Sequence, residues 1–199
     1  MQTPPNKFAH FELGRILGGY SNPTIKSVLV GDSLRITTAA PYAYDFGFLG
    51  KRSIEIRPDS GEIAYFEAVM CVGLSIGLAN FVLIRLAGDR DEHGVLYASR
   101  WLGYAPGGFG WNVNGYIHSL MDGVVCACRI PDLEANAGDR MGLMVDCSSD
   151  PTIRFFVNSC QVHHLCVGEE GYQDWVFPAF HLQNADGMEI ISNPELPHI

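Results

Sequence analysis

The chain has 199 residues, 47% of them hydrophobic and 18% charged, with a formal net charge of −9. That length suits one large domain better than two, and that apolar content excludes disorder through the body of the chain. The basic residues (Lys51-Arg52, Arg85, Arg90, Arg100, Arg140, Arg154) are scattered rather than striped, which with the acidic balance argues against direct nucleic-acid binding.

Residues 1–10 (MQTPPNKFAH) lack the basic patch and apolar run of an export signal. The expected compartment is therefore the cytoplasm, or the nucleus. The six cysteines, Cys71, Cys126, Cys128, Cys147, Cys160 and Cys166, are expected there as reduced, buried thiols. Residues 6–17 (NKFAHFELGRIL) are the best helix candidate of an N-terminal extension spanning 1–24 and packed on the main domain. Ile25–Val30 and Ser33–Thr38 read as strands joined by a hairpin turn at Gly31-Asp32. Thr38–Gly50 is an aromatic-rich loop.

The apolar stretch Ala64–Ala87 could pass for a membrane helix, but it contains Glu67 and Arg85, which a spanning helix would have to bury. It reads instead as core strands: Glu62–Val72, a turn region over Gly73–Asn80, and a returning strand over Phe81–Ala87. Gly88–Gly94 is a charged loop, and Tyr97–Leu102 is a short extended piece. A glycine cluster, Gly103–Gly110, closes on Trp111, expected in the core. Gly115–Leu120 and Gly123–Arg129 read as strands, and Pro131–Ala137 as one helical turn. In Asp139–Cys147, Met141, Leu143, Val145 and Cys147 alternate onto one face, the signature of a strand against a core. Thr152–Asn158 is its antiparallel partner after a turn at Ser148–Pro151. Val162–Val167, Val176–Leu182 and Met188–Ser192 complete a domain over 25–192. The two-proline tail, 193–199, is expected to fray.

Five segments in this order resemble one family. They are GEIAYFEAVM (61–70), FVLIRLAGD (81–89), LGYAPGGFGWNVNGYIHS (102–119), GDRMGLMVDCSSDPTIRFFVNSC (138–160) and WVFPAFHL (175–182). Together they resemble the SPRY domain. The resemblance implies an all-β fold: a twisted two-sheet antiparallel sandwich of the SPRY or concanavalin-like jelly-roll type, with at most one or two short helices. The residues fit. Gly138 permits a positive φ before its strand, and Asp146 with Ser148-Ser149 can bond turn amides. Phe155 and Phe156 straddle a strand, so one fills the core and the other faces out or meets an adjacent element. Pro178 is expected at a sheet edge or strand start. Asn158-Ser159 stands where the family usually has Asn-Gly; serine tolerates positive φ less well, so a longer turn is expected.

Three chemistries compete with binding. Gly73-Leu74-Ser75-Ile76-Gly77 matches the nucleophile elbow of serine hydrolases, which requires a strand, a tight turn at Ser75 and a helix, then an acid and a histidine. The texture downstream is strand and turn, possible partners such as Asp186 with His198 sit in the tail region, and Ser75 reads as a hairpin residue. Cys126 and Cys128 share a strand face while Cys160, His163, His164 and Cys166 cluster later, but structural zinc prefers two close ligand pairs. A glycan-binding sandwich would use Tyr42, Tyr44, Tyr97 and Trp101 as stacking faces. It would not be a glycosidase of the E-x-D-x-x-E type, because Glu67 has no such acidic partner. No phosphate-binding glycine motif is present.

The favoured expectation is a non-catalytic protein-interaction module, an adaptor or a subunit of a larger complex, monomeric by itself, with no cofactor, metal or membrane contact. The resemblance implies that a short peptide segment of a protein partner docks on loops at one edge. By segment this gives Thr38, Ala40, Pro41 and Tyr42 after the second strand. Tyr97 and Arg100 follow ahead of Leu102-Gly103, and Gln183, Asn184 and Ala185 come after FPAFHL.

Overall fold

In the computed structural model the described residues are 6, 12–17, 25–31, 33–38, 46–69, 74–79, 109–121, 124–166, 175–182, 187–191 and 194–197. Among them every regular element is a strand. In chain order these are β1 (Leu13–Leu17), β2 (Ile25–Val30), β3 (Ser33–Thr38), β4 (Phe46–Gly50), β5 (Ile54–Glu55), β6 (Ile63–Val69), β7 (Leu74–Ala79) and β8 (Phe109–Asn112). Then follow β9 (Asn114–Met121), β10 (Val124–Glu134), β11 (Arg140–Asp146), β12 (Thr152–Val157), β13 (Cys160–Cys166), β14 (Trp175–Leu182) and β15 (Gly187–Ile191). They form two antiparallel sheets. The first has the order β1-β4-β14-β7-β8-β9-β10, with β5 added to β14; the second has β13-β12-β11-β6-β15-β3-β2. The expected two-sheet all-β architecture is present.

Period-two alternation explains the packing. Met141, Leu143, Val145 and Cys147 all enter the core between the sheets, as their spacing predicts. Phe66 and Phe155 flank them in the same sheet, and Trp111 and Phe180 meet them from the other. Trp111 is fully buried; its ring meets Phe155 edge-on at 5.4 Å, and its indole N–H donates to the Leu133 carbonyl at 2.9 Å. That bond satisfies the one polar atom such a burial would otherwise strand.

The even-numbered side chains of β11 and β12 are not all solvated. Met144, Phe156 and Tyr65 form a second, smaller cluster on the outer face of the second sheet, against Ile63 and Leu196. Phe155 and Phe156 thus fill two different cores. Leu196, with buried Pro194 and Pro197, corrects the expectation of a frayed tail for these residues: an apolar face needs a cover, and 194–197 supply it. The N-terminal side contributes Asn6, whose carboxamide takes over where the β15 ladder on β6 ends at Glu67. Asn6 Oδ1 accepts from the Tyr65 N–H at 2.9 Å and Asn6 Nδ2 donates to the Tyr65 carbonyl at 3.0 Å, mimicking one residue of a further strand.

Several local expectations are corrected. Leu13–Leu17 is a strand on β4 rather than part of a helix, because its partner supplies the ladder. Leu74–Ala79 is a strand rather than a turn region. Residues 131–134 extend β10 instead of forming a helical turn, with a register shift between Arg129 and Glu134 that accommodates Pro131. Pro178 lies inside β14, neither at an edge nor at a start. It falls where the β5 pairing has ended at Val176 and the β4 pairing begins at Ala179, so a missing donor costs no bond on that side. Three of the four described cysteine side chains, Cys128, Cys160 and Cys166, are exposed on the edge strands β10 and β13, and only Cys147 is buried. The expected strand over 81–87 and the extended piece over 97–102 lie outside the described residues.

Candidate recognition end of the sandwich

Register brings one set of strand ends together. Thr37 at the end of β3 pairs with Gly187 at the start of β15, Glu189 pairs with Val69 at the end of β6, and Val69 pairs with Arg140 at the start of β11. In the first sheet Leu182, ending β14, pairs with Leu74, which begins β7. Residues 183–186 and 70–73 join these ends across the two sheets, and such short links hold both sets at the same end of the sandwich.

The described part of this end is polar and tightly tied. Asn158 and Ser159 both have positive φ (50° and 65°), which makes a two-residue primed hairpin turn in place of the longer turn expected. The Asn158 side chain explains how a serine is tolerated there. Its Oδ1 accepts from the Arg140 N–H at 2.9 Å, its Nδ2 donates to Asp139 Oδ1 at 2.8 Å, and its own N–H donates to the Arg140 carbonyl at 2.9 Å. Asp139 Oδ2 accepts from the Asn136 N–H at 2.7 Å. The Asn158 bond, then the Asn136 amide, hold the Asp139 carboxyl below its ordinary range. Gly138, before this strand, has the anticipated positive φ of 93°.

Beside this turn a charge row crosses the outer face of the second sheet. Arg35 on β3 bonds Glu189 on β15 at 2.9 Å, and Arg140 on β11 lies 3.5 Å from Glu67 on β6. The Arg35 bond is the first cause holding the Glu189 carboxyl below its usual range. Glu67 is only 3% exposed and accepts from the Tyr65 hydroxyl at 2.9 Å. Burial, then the charge of Glu67, push the Tyr65 phenol far above its usual range, so it stays a donor. Gly142 makes this contact feasible: a Cβ there would stand 2.3 Å from the Tyr65 hydroxyl. The two guanidiniums are half exposed, while their carboxylate partners are more buried, so cationic faces are presented to solvent. Sequence reading placed Asn158 in a turn and counted Arg140 among scattered basic residues, but it did not single out Arg35, Arg140 or Glu189 as part of a site. The available signal was the period-two placement of opposite charges on strands whose register was not yet known.

Of the predicted recognition residues, Thr38 ends β3 opposite Ile25. Ala40, Pro41, Tyr42, Tyr97, Arg100, Gln183, Asn184 and Ala185 lie outside the described residues, as do Tyr44 and Trp101. Their anchors can be placed. Thr38 and Gly187 are at the end just described, whereas Ala79 and Phe109, which bracket the segment carrying Tyr97 and Arg100, are at the opposite end of β7 and β8.

The competing chemistries meet other geometry. Ser75 lies within β7, with His181 and Asn112 as cross-strand partners, so the chain runs extended through a position where an elbow needs a sharp turn into a helix. It is a strand residue and not the hairpin residue expected. Cys126 and Cys128 are on β10 of the first sheet and Cys160, His163, His164 and Cys166 on β13 of the second; among the described residues no three ligating side chains gather as a metal site.

No family model matches the chain, and no curated protein matches it. Solved structures do. A human SPRY domain matches with a TM-score of 0.57 and 18% identity, over 86% of this chain and 99% of that one. The SPRY domain of human HERC1 matches with a TM-score of 0.55 and 12% identity, over 94% and 99%. Stonustoxin matches with a TM-score of 0.53 and 12% identity, over 86% of this chain and 27% of the toxin. Likeness at these identities is likeness of fold.

Proposed function

We infer that this chain, which has the fold of a SPRY domain, is a non-catalytic binding module that recognises a short segment of a partner protein through loops at one end of the sandwich. It acts in the cytoplasm or nucleus as an adaptor or as a subunit of a larger complex. One observation carries this reading. The Thr37–Gly187 pairing sets the end of β3 beside the start of β15, next to the cross-bonded Asn136–Asp139–Asn158 turn and the half-exposed Arg35 and Arg140. Loops on a rigid floor with aromatic and arginine side chains suit peptide capture. Tyr42, Gln183 and Asn184 are the contacts expected there.

The test is affinity capture from cell extract with quantitative mass spectrometry, using the wild-type chain, Tyr42→Ala with Asn184→Ala, and Tyr97→Ala. The loop pair should deplete a specific partner about tenfold or more, a loss of roughly 1.4 kcal/mol in binding, with the melting temperature nearly unchanged. An unchanged set of captured proteins, or a collapse of stability without selective loss, overturns the assignment. Depletion by Tyr97→Ala alone moves the surface to the other end.

A further inference from the structure

β13 carries two adjacent histidines, and a bulge decides which of them meets the core. Phe156 pairs with Gln161 and Phe155 with His163, so Val162 is an extra residue on the β13 side. Without it, alternation would set His163 opposite Arg154, on the outer face of the sheet. With it, His163 shares the inner face with Phe155, and His164 lies opposite Arg154 instead. Val162 and Leu165, to either side, pack on the core between the sheets, where Phe155 is fully buried.

The inward ring therefore has an apolar setting. Its centroid lies 5.6 Å from that of Phe155, whose ring also meets Trp111 at 5.4 Å. His163 Nε2 is buried and, among the described residues, has no hydrogen-bond partner. A neutral imidazole bears this at modest cost, because one of its nitrogens is only an acceptor. An imidazolium carries an N–H on both nitrogens, so protonation strands a charged donor at Nε2.

The surrounding groups do not relieve that charge. The His164 ring, 6.3 Å away, would add a like charge. Arg154 on β12 is a fixed cation on the outer face, engaged with Asp146 and Gln161. On β10, which approaches β13, Arg129 is paired with Glu134, and Cys128 and Asp132 face solvent, as do Cys160 and Cys166 on β13 itself. Burial first, then the neighbouring His164, hold His163 below the ordinary histidine range, the direction this geometry requires.

We propose that His163 is a proton switch on the docking of β13: the neutral ring seats the strand against Phe155, and protonation in mild acid drives the ring out and loosens the strand. The sign follows from linkage. The unfolded chain holds this proton more tightly than the fold does. The stabilisation is complete above the ordinary histidine value of about 6.5 and is lost as the pH falls from there toward the folded-state value. The device is independent of the peptide-binding reading, since it uses none of the loop residues. His118 on β9 is shifted in the same direction by burial, so a melting curve alone does not isolate His163.

Two measurements on the full chain isolate it. In a proton NMR titration the His163 imidazole should change with a midpoint below about 6.5. In hydrogen–deuterium exchange, corrected for intrinsic rates, β13 amides should lose protection several-fold between pH 7.5 and pH 5.5. About tenfold is the most one histidine can supply a pH unit below its unfolded value. His163→Leu should abolish most of that loss, and so should His163→Gln, which stays neutral while keeping a polar side chain. His164→Gln should retain it. A His163 midpoint at or above about 6.5, a β13 that keeps its protection at pH 5.5, or a loss that persists in both His163 variants overturns the proposal.

Discussion

At the scale of single residues the most informative position is Ser159, at φ 65°. A non-glycine residue in the left-handed region carries a cost of about 1 kcal/mol. The Asn158 side chain holds the turn in place regardless, through its bonds to Arg140 and Asp139. Replacing Ser159 with glycine removes the strain without touching those bonds, so Ser159→Gly should raise stability by about 1 kcal/mol. In a chain of this size that is a rise of roughly 2–4 °C in melting temperature, readable by calorimetry. A fall instead would mean that the hydroxyl makes a contact worth more than the strain. The sequence signalled a turn here but misjudged its length. Serine's reluctance toward positive φ is a local property, and the bonds that override it come from Asp139 and Arg140, on the far side of a hairpin.

At the scale of elements, β11 was readable because Met141, Leu143, Val145 and Cys147 alternate onto one face, and β6 and β12 because each is a short apolar run bounded by turn residues. What could not be read was that both faces of this central strip are buried. Glu67 and Tyr65 on β6 look, by pattern alone, like a solvated face. In the fold the Tyr65 ring lies over Gly142 on β11, and its hydroxyl closes on Glu67. Gly142→Ala forces a Cβ into that ring and should cost about 1–3 kcal/mol, several degrees of melting temperature. The same substitution with no thermal shift would place the Tyr65 ring elsewhere. β1 was misread for a related reason. Leu13–Leu17 has only roughly helical spacing, and its strand state comes from β4, some thirty residues on, which no local window contains.

At the scale of the whole molecule the sandwich is closed by its ends. The order of segments pointed to two sheets, and the hairpin 138–160 carried that reading. The recognition end was less legible, since it depends on which strand ends meet and on residues spread from Thr38 to Gly187. Nor could the sequence show that the tail belongs to the fold, because 193–199 with its two prolines has no strand or helix pattern. Yet Leu196 packs on Tyr65, Met144 and Phe156, and Pro194 and Pro197 are buried. Removing 194–199 would take away Leu196, which with Ile63 is packed against the Tyr65, Met144 and Phe156 cluster. The expected cost is about 2–3 kcal/mol, the scale of losing one buried apolar side chain and its neighbours' contacts. Urea unfolding should show a lower midpoint with a nearly unchanged slope, because the core between the sheets still unfolds as one unit. Leu196→Ser in the full chain should reproduce most of that loss, since its packing is the part of the tail that meets the aromatic cluster. If truncation lowers stability but Leu196→Ser does not, the prolines hold the tail and the leucine is a bystander. If neither does, the outer face of the second sheet is stable without a cover.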